Sequence, residues 1–223
     1  MKKTAIILGA SGLTGNILLH KLIEDKSYDS IKLFSRSKIE GLPNKVIQFT
    51  GNLLKLEELK ADFTADEVFC CIGTTAKKTP NKKRYKQIDF GIPVTAAKLA
   101  KENKIEKFIV ISAIGANKKS SVFYNKTKGE MEHAVLQQSI KNTLILRPSL
   151  IGGDRKEQRF GEKIALVFFK VMQPLLIGKL KEYKTIDAEN IAKAMLYLAN
   201  NKTNTKVIFT SNEILKLSKK ELK

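Results

Sequence analysis

The stretch Gly9-Ala10-Ser11-Gly12-Leu13-Thr14-Gly15 decides how this chain folds. It follows the apolar run Thr4 to Leu8 and precedes Ile17, Leu18, Lys21 and Glu24, whose spacing with Leu13 predicts an amphipathic helix. Glycine at a strand-to-helix turn allows a sharp bend and lets the backbone approach a phosphate closely. The amides and dipole of the helix N-terminus then favour the phosphate charge. Three glycines at three-residue spacing in this position point to a dinucleotide pyrophosphate, with Ser11, Leu13 and Thr14 in the same cradle.

Outward from this loop, strand-like apolar runs recur at Ile31 to Phe34, Val46 to Phe49, Val68 to Ile72, Lys107 to Ser112 and Thr143 to Leu146. Helical patterns lie between most of them. Val94, Ala97, Leu99 and Ala100 form one, with Asn103 as its stop. Continuous apolar strands alternating with helices predict an α/β fold: a doubly wound, mostly parallel, Rossmann-like sheet covered on both faces. After Pro148 the rhythm loosens through 151–185, including a helix-like stretch from Gly161 to Met172. That region is expected to be a substrate-side elaboration of one domain spanning 1–223. Regularity returns with Asp187 as the N-cap of a helix carrying Ile191, Met195 and Leu198, a strand Val207 to Phe209, and a helix after Ser211.

A chain of 223 residues with 43% hydrophobic and 28% charged residues has the composition of a globular protein, neither disordered nor collagenous. Its net charge of +19 raises the question of a polyanion partner. Five of the 41 basic residues are Arg, however, and Lys is scattered over every segment. Arginine is the side chain that forks onto phosphates and bases, so no specific nucleic-acid role is expected. Cys70 and Cys71 adjoin in an apolar run and are expected to be buried thiols on opposite faces of a strand. With no spaced Cys pairs, they suggest a reducing cytoplasm. His20 and His133 stand alone, and no metal site is expected. The run Ile164 to Phe169 falls well short of the roughly 20 apolar residues needed to span a bilayer, so no membrane passage is expected.

Two further motifs carry chemistry. The second strand ends Phe34-Ser35-Arg36-Ser37, where an acidic residue would bind the ribose of NAD. No acid is present. Arg36, flanked by hydroxyls that include Ser37, is equipped to pair with a 2'-phosphate, or else it is a solvated loop residue. In Tyr124-Asn125-Lys126-Thr127-Lys128, four-residue spacing puts Tyr124 and Lys128 on one helical face. An adjacent ammonium is expected to lower the phenol pKa, giving a proton donor to a carbonyl, and Ser112 could orient the same oxygen. Such a pair also occurs on ordinary helix surfaces.

Taken with the glycine loop, these motifs make the chain resemble the atypical branch of the short-chain dehydrogenase/reductase superfamily. Cys70-Cys71-Ile72-Gly73-Thr74-Thr75, Ile111-Ser112-Ala113-Ile114-Gly115-Ala116-Asn117-Lys118 and Asp154 to Glu162 resemble the oxidoreductase family that includes the human HIV Tat-interacting protein. The resemblance implies NADP(H) as cofactor, with Gly9, Ser11, Gly12 and Gly15 holding the pyrophosphate and Arg36 the 2'-phosphate. It also implies that Gly73 and Thr74 line the cofactor, that Pro148, Ser149 and Leu150 lie near the nicotinamide amide, and that Thr75 and Arg155 face a small-molecule substrate. Asn52 stands where many relatives carry Asp beside adenine, which weakens that contact without removing it.

The leading expectation is an NADP-dependent oxidoreductase acting on a carbonyl or alcohol, with Ser112, Tyr124 and Lys128 as its catalytic groups. The alternative is a non-catalytic NADP(H)-binding redox sensor, which has no physical need for a tuned phenol. Six bases in ten residues between Lys77 and Lys86 read either as a solvated mobile loop or as an electropositive lip.

Overall fold

A computed structural model describes residues 2–152, 184–201 and 206–220. Seven strands form one sheet: β1 (Lys3–Leu8), β2 (Tyr28–Ser35), β3 (Val46–Thr50), β4 (Glu67–Cys70), β5 (Lys107–Ile111), β6 (Asn142–Arg147) and β9 (Ile208–Thr210). Their order is β3-β2-β1-β4-β5-β6-β9 and every pairing is parallel. The order reverses between β1 and β4, and in such sheets the crevice at the carboxyl ends of the two diverging strands is the ligand site. Two short strands, β7 (Ile151–Gly152) and β8 (Ile186–Asp187), pair with each other beside the main sheet.

Burial on both faces explains the near-continuous apolar strands. Ile7 points to a core built with Leu18, Leu19 and Leu22 of α1 (Leu13–Glu24) and Ile191, Met195 and Leu198 of α5 (Ala188–Asn200). Its neighbours Ile6 and Leu8 point to the opposite core. There they meet Ala96, Leu99 and Ala100 of α3 (Ile92–Glu102), and Met131 and Val135 of α4 (Phe123–Gln137). Each fully buried Leu or Ile contributes about 1.5–3 kcal/mol. Cys70 is buried in the second core as expected, whereas Cys71, one residue past the end of β4, is only half-buried against the first. A last helix, α6 (Ser211–Leu217), opens with a capping box in which Thr210 and Glu213 each satisfy the other's backbone amide.

The seven strands of the main sheet and the helices α1, α3, α5 and α6 lie where the apolar pattern predicts them, whereas β7 and β8 carry no such pattern. The basic run differs from a plain loop. Asn81 accepts a hydrogen bond from the Arg84 amide (2.9 Å) and caps a short helix, α2 (Lys82–Lys86). This helix continues through a π-helical turn, Gln87–Gly91, into α3. The expected helix from Gly161 to Met172 lies outside the described residues.

Candidate functional site

All parallel strands end on the same edge, so the loops that follow them meet there. The glycine loop follows β1, Arg36 and Ser37 follow β2, Asn52 follows β3, Gly73 to Thr75 follow β4, Ser112 follows β5, and Pro148 to Leu150 follow β6. The sheet therefore gathers nearly every residue singled out by sequence on one side of the molecule. Arg155 lies outside the described residues.

The glycine loop is as tight as its sequence implies. Gly9 has φ +86°, and a Cβ on it would stand 2.8 Å from the Cys71 carbonyl oxygen, across the β1–β4 crevice. A Cβ on Gly15 would fall 2.1 Å from the Gly9 oxygen. Gly12 is the N-cap of α1; no side chain caps that helix and no acid stands in its first turn. Thr14 is buried, whereas Ser11 is exposed. These are the features a pyrophosphate cradle requires: backbone within reach, helix amides left to an anion, and no carboxylate to repel it.

Arg36 and Ser37 are exposed beside this loop, since Phe34 pairs with Leu8 in the sheet. Of the two hydroxyls expected to flank Arg36, that of Ser35 is turned inward and donates to the Ser37 carbonyl (2.7 Å), which leaves Ser37 as the outward one. Asn52 caps the 3-10 helix Leu53–Leu59, its Oδ1 accepting from the Leu54 amide (3.1 Å), so the Nδ2 group is the one left for a base. Ser149 is committed to the scaffold: its hydroxyl donates to the Lys184 carbonyl and lies 3.0 Å from that of Ser211. Pro148 is buried and its carbonyl accepts from the Ile114 amide (2.8 Å), while Leu150 is exposed. Thr75 accepts from the Lys78 amide through its hydroxyl (3.3 Å).

Tyr124 and Lys128 lie in the first turns of α4. The loop after β5 packs hard against this helix, because a Cβ on Gly129 would come 2.2 Å from the Lys118 amide nitrogen and the Asn117 amide donates to the Asn125 carbonyl (3.0 Å). This contact seats Ser112 and the helix on a common frame. Ser112 is 3% exposed, and its hydroxyl has no hydrogen-bond partner among the described residues. A buried hydroxyl left without a partner costs about 1–3 kcal/mol, so a ligand oxygen that engaged it would relieve that cost.

The sequence reading missed Asp89. It sits in the π-helical turn with no exposed surface; its Oδ1 lies 2.9 Å from Lys128 Nζ and its Oδ2 accepts from the Thr74 amide (2.8 Å). Gly73 covers the pair, since a Cβ there would lie 3.6 Å from Asp89 Oδ1 and 3.8 Å from Lys128 Nζ. A lone acid in Ile88-Asp89-Phe90 was the one available sign. Tyr85, nearly buried, sets its ring edge-on to those of Phe123 and Tyr124.

The expected electrostatics of Tyr124 are also corrected. Although the residue is 40% exposed, desolvation by the surrounding protein raises the phenol pKa, Lys128 opposes that rise, and the Asp89 carboxylate adds to it. For Lys128 burial works against the charge, but Asp89 and then Tyr124 outweigh it and hold the ammonium above its ordinary pKa. The phenol thus sits above its usual pKa, not below it.

A doubly wound parallel sheet with a glycine-rich βα turn at its switch point is the architecture of a dinucleotide-binding protein. The chain belongs to the NAD(P)H-binding family, whose sequence profile matches residues 9–202. Protein HTATIP2 of Rattus norvegicus is 34% identical over 171 residues, covering 75% of this chain and 70% of that protein. Protein FMP52, mitochondrial, of Debaryomyces hansenii is 30% identical over 202 residues, 88% of each chain. In fold, the chain resembles UDP-glucose 4-epimerase of Thermotoga maritima, solved with UDP-glucose, at a TM-score of 0.70 and 18% identity, over 97% of this chain and 81% of that one.

The expectation of a cytoplasmic protein is corrected by these relatives. The FMP52 proteins of Debaryomyces hansenii and Candida albicans are both named as mitochondrial. Cys70 and Cys71 are free thiols, and that does not specify a compartment. No helix among the described residues is long and apolar enough to cross a membrane, and no cluster of metal-ligating side chains occurs among them.

Proposed function

We propose that the chain is an NADP(H)-dependent oxidoreductase that interconverts a carbonyl and an alcohol on a small molecule. The observation that carries this reading is the buried Ser112 hydroxyl, without a hydrogen-bond partner among the described residues, beside a helix bearing Tyr124 and a buried Lys128. In this reading Gly9, Ser11, Gly12, Leu13, Thr14 and Gly15 cradle the pyrophosphate, and Gly73 and Thr74 border the nicotinamide half. When bound, the nicotinamide supplies or accepts the hydride. The chain's own groups manage the oxygen: Ser112 donates a hydrogen bond that orients it, and Tyr124 delivers the proton. Lys128 holds the ribose and the phenol side by side.

The same reading treats the chain as one domain with 151–185 on the substrate side, together with Thr75 and Arg155. Support comes from the β7–β8 pair, in which Ile151 faces Ile186 and Gly152 faces Asp187. The chain therefore departs and returns at adjacent points next to Ser149 and Leu150. A nucleic-acid role is not part of the proposal; Arg147, one of the few arginines, is spent on Glu132.

Cofactor choice is the test. A guanidinium matched to a 2'-phosphate contributes about 1.5–3 kcal/mol, at least tenfold in affinity. NADPH should bind the purified protein more tightly than NADH, and Arg36→Ala should remove that margin while leaving NADH almost unchanged. Arg36→Asp should reverse the preference. Equal losses for both cofactors, or an original preference for NADH, would reduce Arg36 to a solvated loop residue.

A further inference from the structure

We infer that Asp89 is a positioning residue for the nicotinamide end of the cofactor: by pinning the Lys128 ammonium beneath the turn after β4, it sets how tightly that end is held and leaves the adenosine end untouched. The inference rests on the NADP(H) reading and adds to it a residue that acts only through Lys128.

A lysine ammonium rides on a flexible four-carbon stem, so it becomes a fixed donor only when something holds it. Lys128 is buried, and Asp89 Oδ1 lies 2.9 Å from its Nζ. Among the described residues Lys128 makes no other ion pair. A buried ammonium without a counter-ion sheds its proton or turns toward water, and either change removes the charged donor. The little surface that the pair keeps lies mostly on the lysine, whose side chain is 4% exposed against 1% for Asp89. Lys128 is therefore the member that a ligand meets, and Asp89 stands behind it.

The carboxylate is itself held. Its Oδ2 accepts from the Thr74 amide (2.8 Å). Thr74 is fixed at its other polar atoms as well: its hydroxyl lies 2.9 Å from that of Thr79, and its carbonyl accepts from the Tyr85 hydroxyl (3.4 Å). The Gly73 backbone passes over the pair, and a Cβ there would stand at ordinary contact distance from both charged atoms, 3.6 Å from Asp89 Oδ1 and 3.8 Å from Lys128 Nζ. One carboxylate thus joins the turn after β4, the π-helical turn Gln87–Gly91 and α4. A donor arranged before the ligand arrives spares the ligand the cost of ordering it.

The adenosine end falls to other residues. In the proposed site its phosphates belong to the Gly9–Gly15 loop and to Arg36, which follow β1 and β2, whereas Asp89 and Lys128 sit on the π-helical turn and α4. The two ends can therefore be probed separately. The nucleotide 2',5'-ADP carries adenosine and the 2'-phosphate but has no nicotinamide ribose.

Asp89→Asn keeps the size of the side chain and an oxygen for the Thr74 amide, and removes the charge that holds Lys128. In calorimetric titrations NADPH affinity should fall roughly tenfold, the scale of a hydrogen bond from a charged donor, while 2',5'-ADP affinity changes less than about twofold. A general loosening of the fold would weaken both alike. Equal losses, or an NADPH affinity that is unchanged or raised, would overturn the inference and leave the cofactor reading standing. A wild-type protein that does not bind NADPH would remove that reading, and the inference with it.

The Lys128→Met background supplies a second comparison, which also serves should Asp89→Asn alone fail to fold. There Asp89 is a buried carboxylate without its cation, so adding Asp89→Asn should raise stability in urea unfolding and cost no further NADPH affinity. A double variant no more stable than Lys128→Met, or one that binds NADPH more weakly still, would show that Asp89 does not act through Lys128 and would overturn the inference.

Discussion

Arg147 at the end of β6 forks onto Glu132 of α4, with Nε 2.9 Å from Oε1 and Nη2 2.5 Å from Oε2. Glu132 is one helical turn beyond Lys128 and almost wholly buried, so this bidentate pair fastens the helix carrying Tyr124 and Lys128 to the sheet. It also raises the Arg147 pKa, through the hydrogen bonds to Glu132. Replacing Arg147 with Leu strands a buried carboxylate. Removing one partner of a fully buried pair costs about 3–5 kcal/mol; with the guanidinium partly solvated, roughly 1–3 kcal/mol is expected. Urea unfolding measures it, and a loss no larger than that of an ordinary surface substitution would show that the fork does not anchor α4.

Tyr124→Phe should leave NADPH affinity nearly unchanged, because in the proposed reaction the phenol would meet the substrate oxygen and not the dinucleotide. Turnover of any carbonyl substrate should fall by roughly 10²–10⁴, the range of a positioned proton donor. Lys128→Met should damage both binding and rate, and should further destabilise the fold by leaving Asp89 buried without its cation. Undiminished turnover in the Phe variant would remove Tyr124 from the chemistry.

The expected fold was legible wherever a local pattern carried the information. Apolar runs such as Ala5 to Leu8 marked fully buried strands, and the position of Gly9 to Gly15 between a strand and a helix marked the switch point. Other parts depended on contacts distant in sequence. The pairing of Asp89 with Lys128 joins residues 39 positions apart, through a π-helical turn that has no sequence signature of comparable strength. The four-residue spacing of Tyr124 and Lys128 argued for a lowered phenol pKa, and the direction is reversed chiefly because packing around the phenol desolvates it, with Asp89 adding to the rise. The inward turn of the Ser35 hydroxyl and the commitment of Ser149 to Lys184 and Ser211 were equally invisible, because both depend on where the backbone bends after a strand. Asn81 as a helix cap could have been read, but the density of lysine around it suggested a loop.

Gly15→Ala tests the glycine loop directly. With its Cβ forced to within 2.1 Å of the Gly9 oxygen, the backbone must shift, because no flexible side chain is there to give way. A cost of about 1–3 kcal/mol is the usual scale of such overpacking. Dinucleotide binding should fall with it, as the same shift widens the cradle. Calorimetric melting and NADPH titration would read the two effects, and an unaltered affinity would separate Gly15 from the cofactor.

The thiol of Cys70 gives a pH dependence with a definite sign. Burial, partly offset by the Ile72 backbone and Lys128, raises its pKa from 9.0 to about 11. The folded protein therefore holds this proton more tightly than the unfolded chain. Its contribution to stability is complete below pH 9 and is lost as pH rises toward 11, an effect on the order of 2–3 kcal/mol. Relative to its own stability at pH 8, Cys70→Ala should lose correspondingly less than wild type across that window in urea unfolding. Parallel declines in the two proteins would rule this contribution out.

The β7–β8 pair has a consequence for how this fold could diversify. By pairing Ile151 with Ile186 and Gly152 with Asp187, it brings the two ends of the intervening segment to adjacent points. The entropy of closing a flexible loop grows only logarithmically, by about 0.6 kcal/mol for each doubling in length. A change in the number of residues between these anchors is therefore expected to cost the main sheet little, because the paired ends at Ile151 and Ile186 stay where they are.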